Sequence, residues 1–308
     1  MIEHKRVYYY FLLGAAGSLT GWYLAALSLD NLTQLQQRAI FGAMLGGLIG
    51  MAVAGYDGIT TRSFVRFARF GGIGLAVGGL TGALALALVE WLYAQILQPT
   101  DAEEIPAARS IFIGLLCWLL LGGMIGLGAV INKGTQIYKG FLGGLTGAMI
   151  GGLIYEIARV ENSGLVESLL VKAISLGLLG GAIGASVALI TTALQSAWFE
   201  VTDGKLKGRI YDITKYVDAK MGSKSAGLIG SDANAAWIYL PGDSEVLPRH
   251  AEIRYADGAP MLTVFEDNKR ANRPTRVNSH NVSASMPLSD GDRVQIGGTT
   301  LVYHQKSR

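Results

Sequence analysis

Apolar residues run in six long stretches through the first two-thirds of the chain and then give way to short alternating runs. The stretches fall at about 7–29, 38–55, 70–97, 110–131, 137–158 and 168–198, each near the ~20 residues that a helix needs to cross a bilayer core. Polar or charged connectors separate them at 30–37, 57–69, 98–109, 132–136 and 159–167. The third and sixth exceed that length, which tilt or extension beyond the lipid accommodates. From about residue 208 the period drops to two, with predicted strands at 209–217, 226–229, 237–240, 251–255, 261–265, 293–296 and 300–304. Turn pairs punctuate them: Pro241-Gly242, Asp257-Gly258, Asp290-Gly291 and Gly297-Gly298. The pattern predicts a polytopic helical membrane bundle of about six spans followed by an all-β sandwich of ~100 residues.

Composition follows the same division. Half of the 308 residues are hydrophobic, 16% are charged, and most of the 42 glycines lie in the apolar part. Mean hydropathy is +0.35, which suits a membrane protein better than a water-soluble one. The expected domains are a glycine-rich transmembrane region at 1–199, a linker at 200–207 and a β domain at 208–308. The apolar run after Met1–Arg6 is too long for a signal-peptide core and reads as an uncleaved first helix.

The glycines are not scattered. Gly-x-Leu-Thr-Gly occurs at 17–21, 78–82 and 143–147, in the odd-numbered stretches, and Gly-Gly-x-Ile-Gly at 46–50, 122–126 and 180–184, in the even ones. Strict alternation of two patterns points to a two-helix hairpin copied three times. Gly42, Gly46 and Gly50 share one helix face, as do Gly74, Gly78 and Gly82, and Gly143, Gly147 and Gly151. Such zipper-like faces let backbones approach where lipid supplies no hydrophobic drive. They serve packing within one chain, homo- or hetero-oligomerisation, or a glycine-lined pore.

Basic residues in short connectors set the expected orientation. Lys5, Arg6, Arg62, Arg66, Arg69, Lys133, Lys139, Lys205 and Lys207 collect on one side. Arg38, Arg109 and Arg159 on the other are diluted by Asp101, Glu103, Glu104 and Glu161. This places both termini and the β domain in the cytoplasm, with a prokaryotic inner membrane as the expected setting. Asp30, Glu90 and Glu156 follow the three Gly-x-Leu-Thr-Gly patterns by eight or nine residues. They are candidate acids of an ion mouth, set against the simpler reading of ordinary interfacial helix ends. Lys172 snorkels or pairs with Glu156.

The β region carries Gly227-Leu-Ile-Gly230, Ile238-Tyr-Leu240 and Val246-Leu-Pro-Arg-His-Ala-Glu-Ile253, then Thr275-Arg-Val-Asn278 and Leu288-Ser-Asp-Gly-Asp-Arg-Val-Gln-Ile-Gly297. In this order and spacing these runs resemble a forkhead-associated (FHA) domain over about 208–305. The resemblance implies a β-sandwich whose loops at one end bind phosphothreonine peptides, a dianion that needs an Arg and several donors. This chain departs from the family pattern at the ligand positions. Ser231 stands where the family has an Arg, Leu247 where it has a phosphate-contacting Ser, and Arg273-Pro274 where it has Asn-Gly. His250 matches and organises the loop in the family. The candidate peptide-binding residues are thus Ser231, Leu247, Arg249, His250, Arg273, Thr275 and Asn278, with Arg276 as a further source of positive charge.

The net charge of +3 and the lack of a basic stripe with interleaved aromatics argue against nucleic acid. Cys117 is the single cysteine and the four histidines are scattered, so no metal or other cofactor is expected. No Gly-x-x-x-x-Gly-Lys-Ser/Thr or Gly-x-Ser-x-Gly run occurs, and the expectation is not an enzyme. The expected function is a membrane-anchored scaffold that holds a protein partner, phosphorylated or not, at the cytoplasmic face. The alternatives are a small channel or transporter regulated through its FHA-like domain, and a phosphothreonine-dependent signalling adaptor.

Overall fold

The computed structural model describes residues 4–27, 32–96, 107–130, 137–161, 169–217 and 225–306. Its contacts divide the chain into two compact units, Met1–Leu194 and Gln195–Arg308.

In the first unit the apolar stretches are helices. α1 (His4–Ala26) and α2 (Gln34–Ala54) precede a short α3 (Tyr56–Thr60), the turn α4 (Phe64–Arg66) and a π-type turn (Phe67–Gly71) that enters α5 (Gly72–Ile96). α6 (Ala107–Val130), α7 (Ile137–Glu161) and α8 (Leu169–Ala193) follow. A capping box starts α2: the Thr33 hydroxyl accepts from Gln36 N–H while the Gln36 side chain accepts from Thr33 N–H. Among the described residues, five segments are long and apolar enough to cross a membrane: Gln34–Thr60, Phe64–Trp91, Ile111–Val130, Ile137–Ile157 and Lys172–Ala193. α1 is not one of them, because Tyr8, Tyr9, Tyr10, Ser18 and Thr20 dilute its apolar run.

The long helices close into a ring. α1 packs between α8 and α2, and α5, α6 and α7 complete the circuit from α2 back to α8. α2, α6 and α8 also meet one another across the middle. The ring contacts bring backbone against backbone. A methyl group built on Gly42, Gly46 or Gly50 of α2 would strike the carbonyls of Gly82, Gly78 and Gly74 of α5 in turn. Gly122 and Gly126 of α6 face Gly144 and Gly140 of α7 in the same way, and Gly180 and Gly184 of α8 face Gly14 and Tyr10 of α1. Gly143, Gly147 and Gly151 of α7 lie on Val187, Ile183 and Leu179 of α8, and Gly128 of α6 lies on Gly78 of α5. Between α5 and α6, Thr81 Oγ1 donates to Met124 O at 3.2 Å.

Two of the basic residues expected in solvated connectors are buried instead. Arg66 sits 3.4 Å from Asp57 Oδ2, with its guanidinium 5.1 Å from the Phe70 ring centre. Lys139 Nζ donates to Leu194 O at 2.6 Å, satisfying a carbonyl just past the end of α8.

The second unit is a two-sheet sandwich. Its strands are β1 (Ala197–Asp203), β2 (Ile210–Asp212), β3 (Gly227–Gly230), β4 (Ile238–Tyr239), β5 (Ala251–Ala256), β6 (Ala259–Val264), β7 (Thr275–Val277), β8 (His280–Asn281), β9 (Ser285–Pro287), β10 (Arg293–Ile296) and β11 (Thr299–Gln305). One sheet has the order β2-β1-β11-β10-β7-β8 and the other β4-β3-β5-β6-β9. All described pairings are antiparallel except β3 with β4. Alternate residues turn inward, so Phe199, Val201, Val294, Ile296, Leu301 and Tyr303 of one sheet meet Ile229, Ile238, Ile253 and Leu262 of the other.

β1 corrects the expected boundary. Residues 197–199 belong to the sandwich rather than to the last apolar helix, and 200–203 continue the strand in place of a linker. Ala197, Phe199 and Val201 are buried while Trp198, Glu200 and Thr202 are less so, a period of two that the preceding apolar run conceals. The strand expected over 209–217 is cut to Ile210–Asp212. There Asp212 Oδ1 accepts from Thr214 N–H and starts the short helix α9 (Thr214–Val217). A second short helix, α10 (Glu266–Arg270), lies between β6 and β7.

The bundle's dependence on backbone contact is testable. Gly46→Ala drives a methyl into Gly78 O, whereas Gly72→Ala meets nothing within 4 Å. Overpacking of this kind costs about 1–3 kcal/mol. Thermal unfolding of the full chain in detergent is therefore expected to shift down by several degrees for Gly46→Ala and to stay near wild type for Gly72→Ala.

Candidate functional site

The end of the sandwich where β3 finishes and β5 begins is formed by the β3–β4, β4–β5 and β6–β7 loops and the β10–β11 turn. Gly230 lets the first two approach, since a methyl there would strike Pro248 O and crowd Leu247 O. Backbone and side-chain bonds then lace them together. Ser231 N–H donates to Leu247 O at 3.0 Å and Ser231 Oγ to Val246 O at 2.9 Å. Ser231 is thus spent on holding the loop.

His250 anchors the same loop from below. The residue is buried, its N–H donates to Ile229 O at 2.9 Å, and its Nδ1 accepts from Leu247 N–H at 3.2 Å. An acceptor at Nδ1 requires the neutral ring with its proton on Nε2, and Nε2 has no hydrogen-bond partner among the described residues. Asn268 Nδ2, from α10, donates to His250 O and ties the β6–β7 loop to this point. Burial lowers the imidazole pKa from 6.5 to about 4, a shift that nearby Asp243 opposes and Arg273 reinforces.

The arginines are placed unequally. Arg273 Nη1 lies 2.9 Å from Glu245 Oε1 and also donates to Ser244 O, so its guanidinium is committed to the β4–β5 loop. Arg249 is exposed, with its guanidinium 5.1 Å from the Phe265 ring centre. Arg276 points outward from β7, its Nε donating to Asn281 Oδ1 at 3.2 Å. Asp243 accepts from Glu245 N–H at 3.0 Å and from Gly298 N–H at 2.8 Å, fixing the β4–β5 loop to the β10–β11 turn. A hollow of about 150 Å³ lies among Glu245, Arg273, Pro274, Arg276, Gln295 and Gly297. These loops hold the carboxylates Asp232, Asp243, Glu245, Glu266 and Asp267 against the cations Arg249, Lys269, Arg270 and Arg273.

Ser231, Leu247, Arg249, His250, Arg273 and Thr275 come together at this end. Thr275 is buried at the start of β7, opposite Ile296. Asn278 does not join them. It follows the other end of β7 in the left-handed region, φ +48°, where its side chain donates to Asp292 Oδ1 at 2.7 Å and accepts from Arg293 N–H at 2.9 Å. Its place is that of a turn staple. Glu245 and Phe265, which hold Arg273 and Arg249, carry no local motif and become visible only once the loops are folded.

In the helical unit, Glu90 and Glu156 line one cavity of about 820 Å³. Glu90 pairs with Arg38 at 3.4 Å, and Glu156 accepts from Trp118 Nε1 at 2.9 Å. Glu156 is buried within the helical unit. Lys172 lines the same cavity, and Asp30 lies outside the described residues.

The FHA-domain family model matches residues 227–297. A search of curated proteins finds no match. Among solved structures, an FHA domain studied for phosphothreonine-dependent interactions is 23% identical, with 37% of this chain and 99% of that one covered and a TM-score of 0.28. The FHA domain of the CT664 protein from Chlamydia trachomatis is 18% identical, with 36% and 99% covered and a TM-score of 0.30. Mycobacterium tuberculosis EmbR, in complex with a low-affinity phosphopeptide, is 14% identical, with 85% and 72% covered and a TM-score of 0.29.

The depressed pKa of His250 has a signed consequence. The unfolded chain takes up the imidazole proton near 6.5 and the folded loop only near 4. The stability of the sandwich is therefore complete above about pH 6.5 and falls as pH drops toward 4, by ~3 kcal/mol at most. Hydrogen-exchange protection of segment 246–264, corrected for intrinsic rates, is expected to decline over that window in the wild type. The decline should be absent in His250→Gln. With the loops, the buried histidine and the family match in agreement, residues 227–297 of this chain are a forkhead-associated domain, a protein-interaction module.

Proposed function

We propose that the chain is a membrane-anchored recognition protein, in which a six-span helical anchor holds the FHA domain at the cytoplasmic face and the domain captures a protein partner without depending on a phosphothreonine. In this reading residues 1–194 are the anchor and 195–308 the recognition unit. α1 completes the spans by closing the ring, and the bundle descends from three copies of a helical hairpin.

Membrane insertion draws support from the apolar exterior of the bundle. Leu12, Leu80, Leu84, Leu88, Phe112, Leu116, Ile150 and Ile154 are among the large apolar side chains on its exterior, while glycines fill the contacts within. Water would not tolerate so continuous an apolar surface. Orientation draws support from the basic residues beside α3, α4 and the start of α7, even with Arg66 and Lys139 buried.

Recognition that does not depend on phosphate rests chiefly on Arg273. Its guanidinium is already held by Glu245 and Ser244 O, while Ser231 and Leu247 stand at positions where the family has phosphate contacts. A peptide phosphate would have to displace a formed, charge-assisted pair rather than meet a waiting donor.

Two experiments test the proposal. Full chain expressed in bacterial cells is expected to stay with the membranes through a carbonate wash; release to the supernatant would remove the anchor. In nanodiscs, phosphothreonine and unphosphorylated peptide libraries are expected to bind with less than ~10-fold preference, or under ~1.4 kcal/mol. Glu245→Ala, which frees Arg273, is expected to raise the preference for the phosphorylated library by ~10-fold or more, as one charged hydrogen bond permits. Wild-type binding that requires the phosphate and vanishes in Arg249→Ala would instead establish a phosphothreonine adaptor.

A further inference from the structure

All six long helices contribute to the 820 Å³ cavity, which lies where α2, α6 and α8 begin and α1, α5 and α7 end. That volume is in the range of small-molecule sites, about 300–1,000 Å³. Its position follows from the glycine faces. Stepping back by four residues, the face Gly50, Gly46, Gly42 of α2 reaches Arg38, and Gly184, Gly180 of α8 reach Leu176 and Lys172. Stepping forward, Gly74, Gly78, Gly82 of α5 reach Leu86 and Glu90, and Gly140, Gly144, Ala148 of α7 reach Gly152 and Glu156. Where glycine stops, long side chains hold the helices apart and the space opens.

What fills these positions is two carboxylates and two cations. Charges lining a space within an apolar bundle are costly unless they are paired or used. A cavity of one sign would select a free anion or a free cation. A balanced cavity selects an occupant that carries both signs.

We propose that this cavity binds a small zwitterion, its ammonium against Glu156 and the neighbouring aromatic rings and its acidic group against Arg38 and Lys172. The Glu156 side of the cavity is built in advance. Trp118 Nε1 holds one carboxylate oxygen, and Gly114 leaves the space that the carboxylate occupies. Trp118 and Tyr155 stand edge to face, with ring centres 5.0 Å apart, and supply π-faces of the kind that attract ammonium groups. On the other side, Arg38 is well exposed and is balanced by Glu90 at 3.4 Å, an ion pair that an incoming acidic group can join.

An ammonium joined to a phosphate occurs both as a lipid headgroup and as a free metabolite, and the two sources are separable. Full chain is reconstituted in nanodiscs of phosphatidylglycerol, with or without phosphatidylethanolamine, and retained lipid is counted by native mass spectrometry. A parallel thermal-shift titration uses soluble phosphoethanolamine. Retention of phosphatidylethanolamine over phosphatidylglycerol assigns the site to a headgroup, and a thermal shift with phosphoethanolamine alone assigns it to a free zwitterion. Either response is expected to weaken ~10-fold or more, about 1.4 kcal/mol, in Glu156→Gln and in Lys172→Met. Arg38→Gln, at an exposed position, guards against loss through misfolding of the other two.

Neither response, equal retention of both lipids, or responses untouched by all three variants would overturn the proposal. Only the lipid arm rests on the bundle being in a membrane. Failure of binding in protein that survives a carbonate wash therefore counts against this site alone.

Discussion

The helical unit depends on backbone meeting backbone wherever a glycine faces the neighbouring helix. Between α2 and α5 the contact repeats three times, Gly42 with Gly82, Gly46 with Gly78 and Gly50 with Gly74, and no side chain could be added at any of them without moving a helix. Contact at such short range gains dispersion that longer side chains would forfeit by holding the helices apart. The same constraint explains why the bundle is apolar outside. Glycine takes the places of closest approach, Leu45, Ile49, Leu121, Ile125, Leu179 and Ile183 fill the interior beside it, and many of the remaining leucines and isoleucines lie on the outer face. It also explains the polar end of the ring, where the helices separate once the glycine series yields to Arg38, Glu90, Glu156 and Lys172.

The β unit is held by the opposite device, an ordinary core of interdigitated side chains. Phe199 and Tyr303 pack edge to face inside one sheet, and Ile229, Ile253 and Leu262 answer from the other. That rigid base lets the loops at one end be fastened by few bonds: Ser231 to Val246, His250 to Leu247, Asn268 to His250 and Asp243 to Gly298. Each spends a polar group that could otherwise have faced a ligand. The surface left over is defined more by loop shape and by Arg249 on Phe265 than by a row of free donors.

Much of this was legible in the sequence. Helix positions and the sandwich came through because long apolar runs and a period of two are written directly in the spacing of apolar residues. β1 did not, because Ala197-Trp-Phe199 extends an apolar run that began in α8, and composition alone cannot tell a helix end from a strand start. β7, β8 and β9 have two or three residues each, too few to show a period. Site geometry was legible only where contact is local, as in the Ser231 and His250 loop. That Arg273 is held by Glu245, 28 positions earlier, or that Gly114 makes room for Glu156, depends on which loops and helices the fold brings together. Asn278 was misplaced for a related reason: its motif is adjacent to Thr275 in sequence, yet a strand carries the two to opposite ends of the sheet.

The two units treat arginine in one way. Arg38 faces Glu90, Arg66 faces Asp57 and Arg273 faces Glu245, each within 3.4 Å. Such pairing removes the commonest recognition group for phosphate from immediate use, since a dianion gains from an arginine only after its resident carboxylate is displaced. The cost differs by site. At the FHA loops Glu245 is exposed, so a displaced carboxylate passes to water. In the bundle Arg38 and Glu90 line a cavity together with Glu156 and Lys172, and a ligand that brings its own ammonium can compensate a displaced carboxylate in place. A zwitterion satisfies that condition where a bare phosphate does not.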